Sequence, residues 1–300
     1  MTIARVPGKV NLALCVGSRR ADGYHELSSL YQAVSLYEEI TASERDDAEI
    51  TVQMTGEGSE ELATDADNLA VRAALLLRER FDRPDLGVDL WVTKQVPMAG
   101  GMAGGSADAA AVLLACNQEW QLGATRSELS VIAAELGSDV PFLLLGGNAL
   151  GTGRGERLRA LPAEGRLEWV FALAPRGLST REVYQQFDQM VERGEMVPSA
   201  DLSPSAVDAL TSGDAAQVAG EMHNNLQAPA MVLYPELAAT LAAGLAAGAL
   251  GGIVCGSGPT CAFLGADAEA ADRIAVELAG LANVRGTRRA YGPVLGPEVL

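Results

Sequence analysis

The residues best able to do chemistry begin with the run Pro97, Met98, Ala99, Gly100, Gly101, Met102, Ala103, Gly104, Gly105, Ser106 and Ala107. An apolar-alternating segment precedes them and an Ala-rich helical pattern follows, so the stretch reads as strand, glycine loop, helix. Glycines let backbone N–H groups approach an anion without Cβ obstruction, and a helix start adds unpaired donors and the positive end of the helix dipole. The chemistry on offer is the holding of phosphate. No Gly-Lys-Ser/Thr closes the loop, which excludes a Walker motif, and its glycines do not follow the Gly-x-Gly-x-x-Gly dinucleotide pattern. The same residues also fit a flexible turn ahead of a tightly packed helix, and the loop alone does not choose between the two.

Three further constellations bear reactive or recognising groups. In Gly137-Ser138-Asp139-Val140-Pro141-Phe142 a carboxylate follows a helix-ending glycine, where it can take a proton or act as an ordinary N-cap ahead of an early helical proline. In Pro7-Gly8-Lys9-Val10-Asn11 the lysine and the amide are two residues apart, on one face if the segment is a strand. Taken singly, Lys9 fits a solvated turn and Asn11 a buried structural amide. After the turn signal Asp22-Gly23, Tyr24 and His25 set a flat ring beside a two-nitrogen hydrogen-bonder. Tyr184, in Thr180-Arg181-Glu182-Val183-Tyr184, offers a second ring or a core position on a helix face; His223 reads as structural.

The elements that must position these groups follow from periodicity and punctuation. Ile3 to Val6, Val10 to Val16 and Leu30 to Ile40 read as strands. A helix starts at Asp67-Asn68-Leu69 and runs to Phe81, before Arg83-Pro84-Asp85 breaks it. Val88 to Val92 alternates as a strand leading into the glycine loop, Ala109 to Trp120 continues as helix, and Ser127 to Leu136 forms another that ends at Gly137. Gly151 to Gly155 reads as a flexible crossing and Trp169 to Leu173 as the strand that opens a second region. Two domains result, 1–153 and 154–300, with the last segment, Gly286 to Leu300, open to a return to the first.

Composition narrows the class. The chain has 300 residues, of which 48% are hydrophobic, enough for full cores and incompatible with disorder. Gly and charge interrupt its apolar runs too often for a membrane span, and its first residues lack the pattern of a secretory leader, so a cytoplasmic protein is expected. Cys15, Cys116, Cys255 and Cys261 form no Cys-x-x-Cys pair and sit among apolar residues, which favours buried thiols over disulfides or metal ligands. A formal net charge of -17 disfavours a nucleic-acid partner. Anionic ligands then need local neutralisation. Nothing points to an obligate protein partner.

Taken in order, the Lys9, Tyr24-His25, glycine-loop and Asp139 blocks, with Cys255-Gly256-Ser257-Gly258-Pro259-Thr260, resemble the GHMP kinase superfamily over most of the chain. Ala99 and Ala103 depart from it, standing where many members carry glycine. The resemblance implies an α+β fold, with an N-terminal domain like ribosomal protein S5 domain 2, a ferredoxin-like C-terminal domain and a site between them. It implies an ATP- and Mg²⁺-dependent phosphoryl transfer to the hydroxyl of a small molecule, a cytidine diphosphate-linked methylerythritol. Asp139 becomes the base and Lys9 its partner beside the acceptor hydroxyl. Residues 97 to 107 and Asn68 are assigned to ATP, with Ser106 near the Mg²⁺, whose ligands are left unassigned. Asn11, Tyr24, His25, Thr180 and Tyr184 are assigned to the acceptor, the two tyrosines flanking a cytosine whose polar edge His25 reads. Relatives acting on mevalonate, homoserine or a sugar, or a nucleotide sensor without catalysis, are the alternatives.

Overall fold

A computed structural model describes residues 1–97 and 100–300, the side chain of Glu61 excepted; Met98 and Ala99 lie outside the described residues. Two long antiparallel strands dominate its first half, β1 (Thr2–Arg19) and β2 (His25–Arg45). The expected Ile3–Val6 and Val10–Val16 strands are one element, because the irregularity at Pro7/Gly8 shifts the register without ending the pairing. Around them lie β3 (Ile50–Gly56), α1 (Leu69–Arg80), β4 (Gly87–Lys94), α2 (Gly104–Glu119), α3 (Arg126–Leu136), α4 (Val140–Leu145), β5 (Asn148–Gly153) and β6 (Arg157–Leu161).

The β3-α1-β4 unit is parallel, and the rest of the main path, from β1 through β2 to β4, is antiparallel. β2 is long enough to pair β4 through Glu39–Arg45 and β5 through Leu27–Gln32. The Gly151–Gly155 stretch, read from sequence as a crossing, makes the tight end of the β5–β6 hairpin, so the expected boundary at 153/154 falls between two paired strands. Positive φ at Gly153 and Gly155 gives the turn. The helices α1 to α4 cover one face of this sheet, around a core rich in Ala, Val and Leu.

The second half contributes β7 (Leu167–Leu173), α5 (Thr180–Glu192), α6 (Pro204–Ser212), α7 (Ala215–Glu221), the two-residue β8 (His223–Asn224), α8 (Gln227–Leu233), α9 (Glu236–Ala246), β9 (Gly251–Val254), β10 (Cys261–Gly265), α10 (Ala268–Ala279), β11 (Gly286–Gly292) and β12 (Glu298–Val299). Its sheet has the order β11-β7-β10-β9, all antiparallel. With helices after β7 and β10, this is the β-α-β-β-α-β ferredoxin-like pattern, enlarged by α6 to α9. β8 and β12 both add to β1 of the first sheet, stitching the second half of the chain to the first.

Candidate active site

One cleft of about 740 Å³ opens between the two halves, lined by residues of β1, β2, the glycine loop, α2, α5 and the Gly256–Ser257 turn. On β1, Lys9 and Asn11 point the same way, as two-residue spacing in a strand requires, and both are buried. The Lys9 Nζ donates to Asn11 Oδ1 at 2.6 Å, and Asn11 Nδ2 donates to Ser29 Oγ at 2.7 Å, which in turn donates to the Ala13 carbonyl at 2.9 Å. This chain of donors fixes the ammonium without satisfying all of its protons. Asp139 Oδ2 stands 3.6 Å from Lys9 Nζ, close enough for attraction and too long for a strong hydrogen bond.

Asp139 occupies the residue before α4, the N-cap place, but its side chain makes no capping bond. The side chain therefore does not fill the capping role left open in the sequence: the carboxylate is turned into the cleft and is one-third exposed. Tyr31, opposite Asn11 on β2, packs against Phe142 at 4.9 Å between ring centroids and lies under Lys9. Burial, then the Asp139 charge, pushes both the Tyr31 and Tyr184 phenols upward, so both serve as neutral rings.

The glycine loop leads into α2, whose first turn holds Gly104, Gly105 and Ser106, all lining the cleft. Ala107 makes the first helical bond, back to the Ala103 carbonyl, and Ala103 offers no side chain to cap the N–H groups before it. Those donors, at the positive end of a 16-residue helix, suit an anion. Pro97, Gly100, Gly101 and Ala103 also line the cleft. Gly101 is irreplaceable by position: at φ 76° a Cβ would run into the Cys255 carbonyl of the second domain. Ala103 takes φ 64°, a left-handed conformation that glycine reaches without strain. Met102 instead buries its side chain in the core and accepts a 3.3 Å bond from Lys9 N, tying the loop to β1. Ala107 is likewise buried in α2.

Asn68, like Met102 and Ala107, is not part of this lining. It caps α1, its Oδ1 accepting from Ala70 N at 2.8 Å while its Nδ2 donates to the Ala63 carbonyl at 2.6 Å. Its neighbour Leu69 faces the cleft in its place.

At the opposite end, Tyr24 is exposed with the Arg154 guanidinium 5.0 Å from its ring centre, while His25 is buried against Tyr184, 5.0 Å between centroids. Thr180 Oγ1 and Ser257 Oγ are 2.8 Å apart at the interdomain edge. Lys9, Arg19, Arg154 and Arg181 line the cleft against Asp139 and Asp188, a cationic balance inside a chain of net charge -17. Of these, Arg19, Arg154, Arg181 and Asp188 escaped the sequence reading, since an arginine in an acidic chain gives no local signal of where it points.

Behind the glycine loop lies a second ionic group. Lys94 Nζ meets Glu38 Oε1 at 2.8 Å and Asp108 Oδ2 at 2.7 Å, all three buried, and Glu38 Oε2 accepts from Gln95 N at 3.0 Å. Burial, then the Asp108 charge, pushes the Glu38 carboxyl up to about 7, and burial raises Asp108 as well. The group joins the end of β4 to the start of α2, the two anchors of the loop.

Residues 68–147 match the family model of the GHMP kinase N-terminal domain and residues 206–282 that of the C-terminal domain. Proteins named 4-diphosphocytidyl-2-C-methyl-D-erythritol kinase are similar throughout: that of Mycolicibacterium smegmatis is 50% identical over 99% of this chain and 91% of its own length, and that of Streptomyces coelicolor 51% identical over 99% and 98%. A solved 4-(cytidine 5'-diphospho)-2C-methyl-D-erythritol kinase superposes with a TM-score of 0.76 at 32% identity, covering 96% of this chain and 98% of that one. Homoserine kinase from Cytophaga hutchinsonii shares the fold alone, with a TM-score of 0.74 at 20% identity over 100% of this chain and 97% of its own. With both domain models matched and half the residues identical to such relatives along nearly the whole chain, this protein belongs to the GHMP kinase family.

Proposed function

We propose that this enzyme transfers the γ-phosphoryl group of ATP to the 2-hydroxyl of 4-diphosphocytidyl-2-C-methyl-D-erythritol, releasing ADP and the 2-phosphate. The observation that carries this reading is the place of the Lys9–Asp139 pair, in one cleft between the uncapped start of α2 and the Tyr24, His25 and Tyr184 group. Those three stations match a phosphate donor, a reacting hydroxyl and a pyrimidine base. Asp139 takes the proton of the 2-hydroxyl as its oxygen attacks the γ-phosphorus; the bond from that phosphorus to the β,γ-bridging oxygen breaks, and ADP carries the electron pair away. Lys9, held by Asn11, orients the hydroxyl and stabilises the charge growing on its oxygen. The N–H groups of Gly104 to Ser106 receive the donor's phosphates, while Tyr24 and Tyr184 flank the cytosine and Thr180 borders the acceptor.

Among the described residues no cluster of three His, Cys, Asp or Glu side chains could cage a metal ion. The Ser106 hydroxyl, which lines the cleft, would hold a Mg²⁺ brought with the ATP phosphates, an ion that keeps several waters and prefers substrate phosphates to a protein cage. Bound there, it would offset the negative charge of the donor's phosphates. No helix among the described residues is long and apolar enough to cross a membrane, and a reaction that draws on ATP fits the cytoplasmic location we propose for it.

The test is ADP release with ATP and Mg²⁺ against the cytidyl-methylerythritol compound, mevalonate, homoserine and galactose. Selective turnover of the first is expected. Turnover of another alcohol instead would remove the cytidine assignment, and nucleotide binding without any turnover would remove catalysis.

A further inference from the structure

His25 lies in a cup made by one face of α5. Tyr184, Phe187 and Asp188, at helical spacings of three and four residues, contact its ring face, its edge and its nitrogen: Phe187 stands perpendicular at 5.7 Å between centroids, and Asp188 Oδ1 is 2.7 Å from Nε2. Arg19 approaches the other Asp188 oxygen, Oδ2, at 3.7 Å. Among the described residues no protein group hydrogen-bonds Nδ1, and His25 lines the cleft.

We propose that Asp188 is a positioning residue that fixes the proton of His25 on Nε2 and so makes the base pocket select an amino group. An ionised carboxylate accepts hydrogen bonds and donates none, so the nitrogen facing it carries the proton; in a neutral imidazole the other nitrogen is then an acceptor only. Rested on the cytidine substrate proposed above, this has a definite consequence. Cytosine offers N3 and O2 as acceptors and its 4-amino group as donor; the bare Nδ1 is complementary to the amino group alone. Uracil replaces that amino group by a carbonyl oxygen, which would set acceptor against acceptor. Selection thus depends on a residue that need not touch the base. It also depends on both domains, since His25 opens β2 in the first sheet and Asp188 belongs to α5 of the second.

The chain has only two histidines, so ¹⁵N-histidine NMR of the whole enzyme reads the tautomer directly, with a His223→Gln sample to assign the pair. A protonated Nε2 and a bare Nδ1 on His25 are expected at neutral pH. A proton on Nδ1, or on both nitrogens, would overturn the proposal. In kinetics, the cytidine compound should exceed its uridine diphosphate-linked counterpart in kcat/KM by about 100-fold or more, since buried polar groups left unpaired are heavily penalised. Asp188→Ala should cut that ratio by at least about tenfold, mainly through KM, and Asp188→Asn, which keeps an acceptor oxygen, should restore part of it. A purely structural role would slow both substrates alike, and an unchanged ratio in Asp188→Ala would sink the idea. Should that variant fail to fold, the wild-type spectrum decides. Absence of any turnover of the cytidine compound by wild type would count against the proposed function, and the spectrum would still judge the tautomer.

Discussion

This chain has two lysines, Lys9 and Lys94, all its other cationic side chains being arginine, and both lysines are buried beside carboxylates. What surrounds them differs. Lys94 is closed in by Glu38 and Asp108 at 2.8 and 2.7 Å, each carboxylate nearly or fully inaccessible to water. Lys9 keeps its one carboxylate, Asp139, at 3.6 Å and leaves it one-third exposed. A compact ammonium with rotatable donors serves both places, where a planar guanidinium would impose its own fork. The tight group holds two segments of backbone together; in the proposed reaction the loose pair keeps unspent attraction for the acceptor hydroxyl of the substrate. Closeness of an ion pair therefore marks the scaffold here, and slack goes with the pair proposed to do the chemistry.

The largest expected effect lies on the tight side. Lys94→Met removes the only cation that, among the described residues, faces the two buried carboxylates, and breaking a buried ionic group by deleting one partner costs about 3–5 kcal/mol. Denaturant unfolding at pH 7.5 should show a loss of that size, with any fall in kcat following the loss of fold. A stability within about 1 kcal/mol of wild type would show that the group contributes little to the anchoring of the glycine loop.

On the loose side the effect should move from stability to rate. Asp139→Asn keeps shape and removes the proton acceptor, so kcat should fall by at least roughly 100-fold, typical of deleting a general base, while ATP still binds and unfolding stability changes little. Because the Asp139 side chain makes no capping bond, α4 does not depend on its charge. Near-wild-type turnover would remove the base assignment, and a large loss of stability would erase the contrast between the two lysines.

Much of this arrangement was legible in the residues, and the gaps have physical reasons. The strand-loop-helix reading around residues 97–107 holds because glycine punctuation and Ala-rich periodicity are local signals. The one-face placement of Lys9 and Asn11 holds for the same reason. Asn68 was assigned to the nucleotide by resemblance, and its helix-start position, visible in Asp67-Asn68-Leu69, is filled in the structure by a capping role. Asp188, Arg154 and the Glu38–Lys94–Asp108 group are tertiary meetings of residues far apart in sequence, such as the 163 positions between His25 and Asp188. The scarcity of lysine was the one signal within reach: in a chain that uses arginine for every other cation, a lysine in an apolar segment marks a site where a small charge is needed.

A smaller effect distinguishes the two groups by pH. The Glu38 carboxyl, with a folded-state pKa pushed from 4.5 to about 7 by burial and then by Asp108, is easier to keep protonated in the folded chain than in the unfolded one. Its contribution is therefore fully present below about pH 4.5 and is lost as pH rises toward 7, the reverse of an ordinary paired carboxylate. Glu38→Gln removes that titration and also lowers the demand on Asp108, which is left alone with Lys94. The amide adds a fixed cost, since its one oxygen must choose between Lys94 Nζ and Gln95 N, both of which Glu38 serves. The variant should accordingly be the less stable protein near pH 5 and close on wild type by on the order of 2 kcal/mol by pH 7.5. Unfolding curves for both proteins across that range would measure the difference. Parallel pH profiles would mean that Glu38 is ionised throughout, with Lys94 fully balancing two charges, and the tight group would then resemble the loose one more than its geometry implies.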